Sequence, residues 1–426
     1  MKRVQIVTMG CSKNRVDSER YLHLLQARGY ELAPEDEDLS LGKVDEVIIN
    51  TCGFIQDAKV ESIDAIFEAV DAKNRGLIDK VSVFGCLSQR YRDTLVSEIP
   101  EVDHWDGVMT FDSIDRVLTT PKHYAYLKIS EGCDRACSYC AIPNIRGPHV
   151  SVPLEKIEEE ARMLASRGVK ELIVIAQDTT FYGLDLYGRR RLGDAVERMA
   201  TVDGIEWIRL HYSYPAGFPD DVLRIMAENP KVCKYIDIPL QHSADRVLSA
   251  MRRGVDGNQT RRLVEKMRQM VPGVVLRTTM MVGHPGEGEV EFEDLLDFVR
   301  WARFERLGAF TYSEEEDTWG ARNLADDIPQ EVKQERYDRL MDAQSAISEA
   351  YNVSRIGSSE RVLVDSFTDG VLVARSQGES PEVDGEILIG DEKSLKGLDI
   401  NELIGNFTNV RITGAGEYDL LAEIEK

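Results

Sequence analysis

The strongest constraint on this chain is the eight-residue stretch Cys133-Asp134-Arg135-Ala136-Cys137-Ser138-Tyr139-Cys140. It sets three thiols at a C-x3-C-x2-C spacing, after the apolar run Leu127-Lys128-Ile129 and Gly132. Thiols this close are not tied to one another by ordinary disulfides in a folded loop. They are well spaced to wrap one soft metal centre. Thiolates hold iron–sulfur clusters, and a [4Fe-4S] cluster with only three cysteines keeps one iron open for a reactive ligand. Two other readings stand beside it. The trio could be part of a zinc site, with His149 as the nearest downstream histidine, or simply three buried cysteines. Structural zinc prefers four closed protein ligands.

Length and charge narrow the rest. A chain of 426 residues has room for about three domains. The formal net charge is −23. A protein that grips nucleic acid by its phosphates shows a basic face. Here the global field repels nucleic acid and favours a basic partner, so nucleic acid is not expected as the main substrate. Seven cysteines are present, an odd number, and Met1-Lys2-Arg3 leads into a short strand-like run rather than an apolar signal core. No apolar run approaches the ~20 residues that span a bilayer. The expectation is a cytoplasmic protein without a membrane segment, whose reduced thiols are free to bind metal.

Residues 1–120 alternate strand and helix. Strands are expected at Val4–Met9, Val47–Ile49 and Val81–Phe84, with helices over Asp17–Arg28 and Ala58–Ala72. That alternation implies an open parallel sheet. Residues 121–354 continue it. Strands are expected at Tyr124–Ile129, Glu171–Ala176, Trp207–His211, Tyr235–Ile238, Val274–Met281 and Ala309–Tyr312, with helical patterns between them. Parallel strands with crossover helices form a full or partial barrel, whose working face is the strand C-terminal edge. A long charged helix, Gln330–Tyr351, reads as a connector. Residues 355–426 carry short strands with Gly, Asp and Pro turns, and suggest a small closed β-barrel.

The first three cysteines share a setting. Met9-Gly10-Cys11, Thr51-Cys52-Gly53 and Phe84-Gly85-Cys86 each stand just past a strand's carboxyl end, beside a glycine. Ligands bind at that edge of open α/β sheets, and glycine lets backbone approach a bulky object closely. The bland alternative is three unrelated buried cysteines. The functional reading is a second three-thiolate cluster, again with an open iron.

The cysteine stretch, with Tyr139 before its last Cys, resembles the radical S-adenosylmethionine (SAM) superfamily. The whole chain is similar to one family within it, the methylthiotransferases. These have an N-terminal three-cysteine α/β domain, a radical SAM partial (β/α) barrel and a C-terminal TRAM β-barrel. The stretch Gly10-Cys11-Ser12-Lys13-Asn14-Arg15-Val16-Asp17-Ser18-Glu19 looks like the branch that modifies an aspartate of ribosomal protein S12. The tRNA-modifying branch usually carries Gln and Met where Ser12 and Lys13 stand. Pro239-Leu240-Gln241-His242, Met251-Arg252-Arg253-Gly254 and Tyr312-Ser313-Glu314-Glu315 also look like the S12 branch. A separate charge argument agrees. Residues 355–426 hold 7 Lys and Arg against 15 Asp and Glu, a net −8, which suits a basic protein partner better than phosphates. An acidic surface can also serve solubility alone.

The resemblance implies two [4Fe-4S] clusters and SAM. Cys133, Cys137 and Cys140 would hold the catalytic cluster, whose open iron takes SAM and whose electron cleaves it. Cys11, Cys52 and Cys86 would hold the cluster that carries the sulfur. The implied product is a methylthio group on Cβ of an S12 aspartate. The implied partners are S12, free or in the small ribosomal subunit, and an electron donor. Tyr139, Gln177, Asp178 and Gly283 are the expected SAM contacts; a polar turn explains Gln177 and Asp178 about as well, and a simple turn could explain Gly283. Arg189-Arg190-Arg191 is expected as a solvated loop and Cys233 as a buried residue. His211 and His242 could be site groups or ordinary hydrogen-bonded histidines.

Overall fold

The computed structural model describes residues 2–41, 43–111, 113–390, 395 and 397–425. Its first unit is a five-stranded parallel sheet of β1 (Arg3–Thr8), β2 (Glu31–Leu32), β3 (Glu46–Thr51), β4 (Lys80–Gly85) and β5 (His104–Trp105), in spatial order 2-1-3-4-5. β3 is buried along its whole length, as the central strand of a two-sided sheet should be. Helices α1 (Ser12–Ala27), α2 (Gln56–Asn74) and α3 (Cys86–Glu98) cover the faces. Two differences from the sequence expectation place the cysteines. α1 begins at Ser12 rather than Asp17, and α3 was not anticipated. Cys11 is therefore the N-cap of α1, and Cys86 opens α3.

The second unit is a six-stranded parallel sheet. It contains β6 (Tyr124–Lys128), β9 (Glu171–Ile175), β10 (Trp207–Leu210), β11 (Val232–Asp237), β12 (Val275–Val282) and β13 (Arg306–Thr311), paired in chain order. The intervening β7 (Ser130–Glu131) and β8 (Val150–Ser151) form a two-stranded ribbon beside the Cys133–Cys140 loop. Successive strand side chains face opposite ways. Leu127, Leu172, Val174, Ile208, Leu210 and Ile236 join the main apolar core. Tyr124, Tyr126, Ile173 and Ile175 alternate with them and pack with Val16 of α1 and with Tyr212. The concave face is thus partly closed by a helix of the first unit. The helix Gln330–Ser354 does more than connect. Leu340 and Ile347 enter the main core, and Gln344 donates to the Phe304 carbonyl at 2.9 Å, so it packs along the open β13 edge.

The third unit is a closed barrel of β14 (Ser359–Thr368), β15 (Val371–Arg375), β16 (Ile387–Ile389), β17 (Phe407–Ala415) and β18 (Leu420–Ile424). β18 was not anticipated, yet it pairs with both β16 and β17 and closes the barrel. The segment between β15 and β16 reaches into the second unit. Arg375 of β15 meets Glu171 at 2.8 Å, and Glu379 meets Arg306 at 2.9 Å and also binds Arg355. His211 meets Ser380 Oγ at 2.8 Å, and the Tyr126 hydroxyl donates to Glu382 at 2.8 Å. Among the described residues no helix is long and apolar enough to cross a membrane.

Candidate metal centre

One cavity of about 310 Å³ is lined by all six strand-end and loop cysteines. Cys11, Cys52 and Cys86 reach it from the first sheet's carboxyl edge. Cys133, Cys137 and Cys140 reach it from the loop after β7. Two sheets thus present their C-terminal edges to one space, where open α/β sheets and barrels place their ligands.

Local packing explains the N-terminal trio. Gly10 has φ +85°, and a Cβ there would stand 2.6 Å from Cys52 Cβ and 2.8 Å from its sulfur. Only glycine lets the Cys11 turn lie this close to Cys52. The Cys52 amide donates to Ser62 Oγ of α2 at 2.9 Å. Arg90 donates to the neighbouring Gly53 carbonyl at 3.1 Å, and pairs at 2.8 Å with buried Glu315, which also takes Lys59 at 3.0 Å. Gly320 N–H donates to the Ser138 carbonyl at 2.6 Å. Residues 315–320 therefore strap the Cys52 loop to the Cys137 loop.

Each trio also has an arginine on one sulfur. Arg146 Nε donates to Cys86 at 3.3 Å, and Arg253 Nη1 donates to Cys137 at 3.4 Å. Arg146 further meets Asp17 and Glu131 at 3.0 Å and Asn14 at 2.6 Å. Lys128 adds to this buried cluster, binding Asp17 and, at 2.7 Å, Glu131. Burial pushes the Glu131 carboxyl up, but Lys128 and Arg146 outweigh it and hold it down at about 2. The thiols go the other way. Burial pushes Cys52 up, Cys133 up to about 11 and Cys86 up to about 12, the last despite Arg146. Burial raises Cys140 still further. Desolvation alone keeps such thiols neutral; a bound metal deprotonates a coordinating thiol outright.

The donor set fits iron–sulfur clusters better than zinc. All ligands of a single zinc ion lie within about 2.3 Å of it. Among the described residues no three His, Cys, Asp or Glu side chains converge in that way. Thiolates of a cluster bind different irons and stand further apart. His149 is turned to Ser151 Oγ at 3.1 Å and is not on the cavity wall.

The expected SAM contacts separate. Tyr139, Gln177 and Asp178 line the cavity; Gly283 does not. Gly283 donates its amide to Glu287 at 2.9 Å, and Lys333 covers its α-carbon. Gln177 Nε2 donates to Glu131 at 2.6 Å, which leaves its buried Oε1 without a partner. Asp178 is engaged by Arg135 at 2.7 Å and by Thr180. The Tyr139 hydroxyl accepts from Arg253 at 3.1 Å. His211 and His242 are buried, bonded to Ser380 and to Glu287, and off the wall. Cys233 is fully buried against Trp207 and Tyr235. Of the basic run, only Arg189 is exposed; Arg190 donates to the Thr180 carbonyl at 3.0 Å.

Several wall residues had no reading of their own in the sequence: Arg135, Arg146, Tyr212, Tyr214, Gln241 and Arg253. Arg135 lies inside the cysteine stretch, and Gln241 and Arg253 lie in the quoted motifs, so position alone could have marked those three. Tyr212 (φ 59°) and Gln241 (φ 74°) hold left-handed backbone at strand ends. Strain of this kind persists where surrounding structure enforces it, often at functional sites.

A six-strand parallel half-barrel with three loop cysteines at its carboxyl edge defines a radical SAM protein. Comparisons with known proteins agree. The radical SAM superfamily matches residues 127–299, the uncharacterized protein family UPF0004 residues 3–107, and the TRAM domain residues 356–424. The ribosomal protein uS12 methylthiotransferase RimO of Bacteroides fragilis is 50% identical, covering 99% of both chains. Those of Phocaeicola vulgatus, at 49% with 100% of each chain covered, and Cytophaga hutchinsonii, at 48% with 100% and 98% covered, are similar. Among solved structures, the radical SAM methyltransferase TsrM of Kitasatospora setae shares the fold at TM-score 0.52 and 14% identity, over 72% of this chain and 73% of that one. The chain belongs to the RimO methylthiotransferase family.

Proposed function

We propose that this chain is a SAM-dependent radical methylthiotransferase that places a methylthio group on Cβ of an aspartate in ribosomal protein uS12. The observation that carries this reading is the single cavity shared by both cysteine trios. Two thiolate cages opening on one space suit a reaction in which a carbon radical and a sulfur donor must meet.

Cys133, Cys137 and Cys140 hold the catalytic [4Fe-4S] cluster, and Cys11, Cys52 and Cys86 hold a second. When bound, the clusters and SAM supply one-electron cleavage, hydrogen abstraction from an unactivated carbon, and the sulfur. The protein's own part is placement and exclusion of water. Tyr139, Gln177 and Asp178 form the wall beside the catalytic trio, and the free Gln177 Oε1 can accept a hydrogen bond from SAM. Arg146 and Arg253 offset thiolate charge at the two trios. The acidic C-terminal barrel receives the basic ribosomal protein, free or within the small subunit. An electron donor completes the cycle. The same chemistry on tRNA would call for a basic barrel.

The test is anaerobic reconstitution with iron and sulfide, followed by SAM and dithionite with uS12 and, in a parallel reaction, with tRNA. Expected are 5′-deoxyadenosine and a methylthio mass on one uS12 aspartate. A methylthio mass on tRNA and none on uS12 would overturn the substrate. No 5′-deoxyadenosine would overturn the chemistry.

A further inference from the structure

The cavity wall carries four cations: Lys13, Arg135, Arg146 and Arg253. Three of them are engaged. Arg135 pairs with Asp178, and Arg146 with Asp17 and Glu131. Arg253 donates to the Pro239 carbonyl, the Tyr139 hydroxyl and the Cys137 sulfur. Lys13 differs. It is 6% exposed, and its Nζ lies 2.8 Å from the centre of the Tyr212 ring. Among the described residues, no oxygen or sulfur accepts a hydrogen bond from its ammonium, whereas each of the three arginines has such partners. The ring face attracts the ammonium but supplies no oxygen acceptor for its N–H groups. Its three N–H donors remain available to an anion inside the cavity.

We propose that Lys13 is the specificity residue that receives a carboxylate, and that this carboxylate is the side chain of the target aspartate. The inference rests on the reading of uS12 as substrate. Two cavity occupants carry a carboxylate: the substrate aspartate and the methionine part of SAM. Position favours the first. Lys13 is two residues past Cys11 on α1, so it stands with the N-terminal trio. The Cys133–Cys140 loop has cations of its own in Arg135 and Arg253. In aspartate the carboxyl carbon is bonded directly to Cβ. A carboxylate held by Lys13 therefore keeps the carbon to be modified one bond away, on the sulfur-donating side. The left-handed backbone of Tyr212 sets the ring that steers the ammonium, and its hydroxyl lies 3.4 Å from Ser12 Oγ. An asparagine in the same place would leave the ammonium unpaired, and a site built for a polar partner rejects the analogue that lacks it.

The test measures the affinity of the cluster-loaded protein for uS12 and for uS12 with the target aspartate changed to Asn. SAM affinity is measured in parallel. Wild type should bind the aspartate form about tenfold or more tightly. Lys13→Met should bind the two forms equally, and Lys13→Arg should retain most of the preference. Equal binding of the two forms by wild type overturns the proposal, and this arm needs no variant of the chain. A preference that survives in Lys13→Met overturns it too. Loss of SAM affinity with the preference intact assigns the carboxylate to SAM and overturns it. If wild type neither binds nor modifies uS12, the functional reading fails and this inference falls with it.

Discussion

The Arg146 guanidinium donates to the Cys86 sulfur across 3.3 Å, although Cys86 opens α3 of the first unit and Arg146 ends a short helix, Ile142–Arg146, of the second. The same side chain binds Asn14, Asp17 and Glu131. It is 9% exposed, so its ion pairs are sheltered from solvent. One arginine thus joins α1, the start of α3 and the β7 loop. Arg146→Met should cost about 3 kcal/mol, because buried Asp17 and half-buried Glu131 would then have Lys128 as their one cation among the described residues. Arg146→Lys should recover only part of this, since an ammonium lacks the guanidinium's planar fork. Urea midpoints at pH 7 would check both. An unchanged midpoint in Arg146→Met would reject the role.

Gly10→Ala tests the N-terminal cage. The new methyl would collide with Cys52 at 2.6 Å, on a backbone of φ +85° that disfavours any side chain. Reconstituted protein should hold about half the iron of wild type, one [4Fe-4S] cluster rather than two. The remaining cluster should still cleave SAM. Full iron loading would show that the Cys11–Cys52 approach is not needed for assembly.

Glu379 anchors the C-terminal barrel. It takes Arg306 of the half-barrel and Arg355 at the end of the long helix, and it is 1% exposed. Burial raises its carboxyl, but the two arginines prevail and hold it well below the usual range. Glu379→Gln should leave both cations underpaired and cost about 3–5 kcal/mol. The barrel should then undock before it unfolds. Limited proteolysis would show faster cleavage near Gly357, between the helix and β14. A cleavage rate equal to wild type would rule out this anchor.

The parts of this architecture that follow a period were legible in the sequence. Three of the five strands of the first sheet, the six strands of the second, the apolar faces of the expected helices and the three glycine–cysteine turns all obey local rules, whereas the two-residue strands β2 and β5 are too short to show a period. Cys11, Cys52 and Cys86 could be grouped because each follows a strand on the same sheet edge. The segment 376–386 could not be read, because it holds no apolar repeat. Glu379, Ser380, Glu382 and Asp384 each find a partner in a half-barrel more than sixty residues earlier in the chain. Arg146 was missed for the same reason. Its partners Asn14, Asp17 and Cys86 are distant in sequence, and nothing local distinguishes it from a surface arginine. Lys13 was visible as part of a motif, but that no acceptor meets its ammonium among the described residues is a property of the folded cavity alone.

His211 gives the barrel contact a pH dependence with a defined sign. Burial lowers its imidazole to about 4, while the nearby Asp237 opposes the shift only in part. In the unfolded chain it returns to its ordinary value near 6.5. Between those two values the unfolded chain takes up a proton and the folded chain does not. Acid therefore favours unfolding across this window, and stability is lost as pH falls from about 6.5 to about 4. The full loss from this one group is about 3 kcal/mol. The ring's Nε2 meets Ser380 Oγ at 2.8 Å, on the segment that seats the barrel. His211→Asn keeps a polar partner for Ser380 and removes the titration. Urea unfolding of both proteins at pH 7.5 and pH 4.5 should show wild type losing about 2–3 kcal/mol more than the variant. Parallel losses in the two proteins would mean that His211 is not held neutral by the fold.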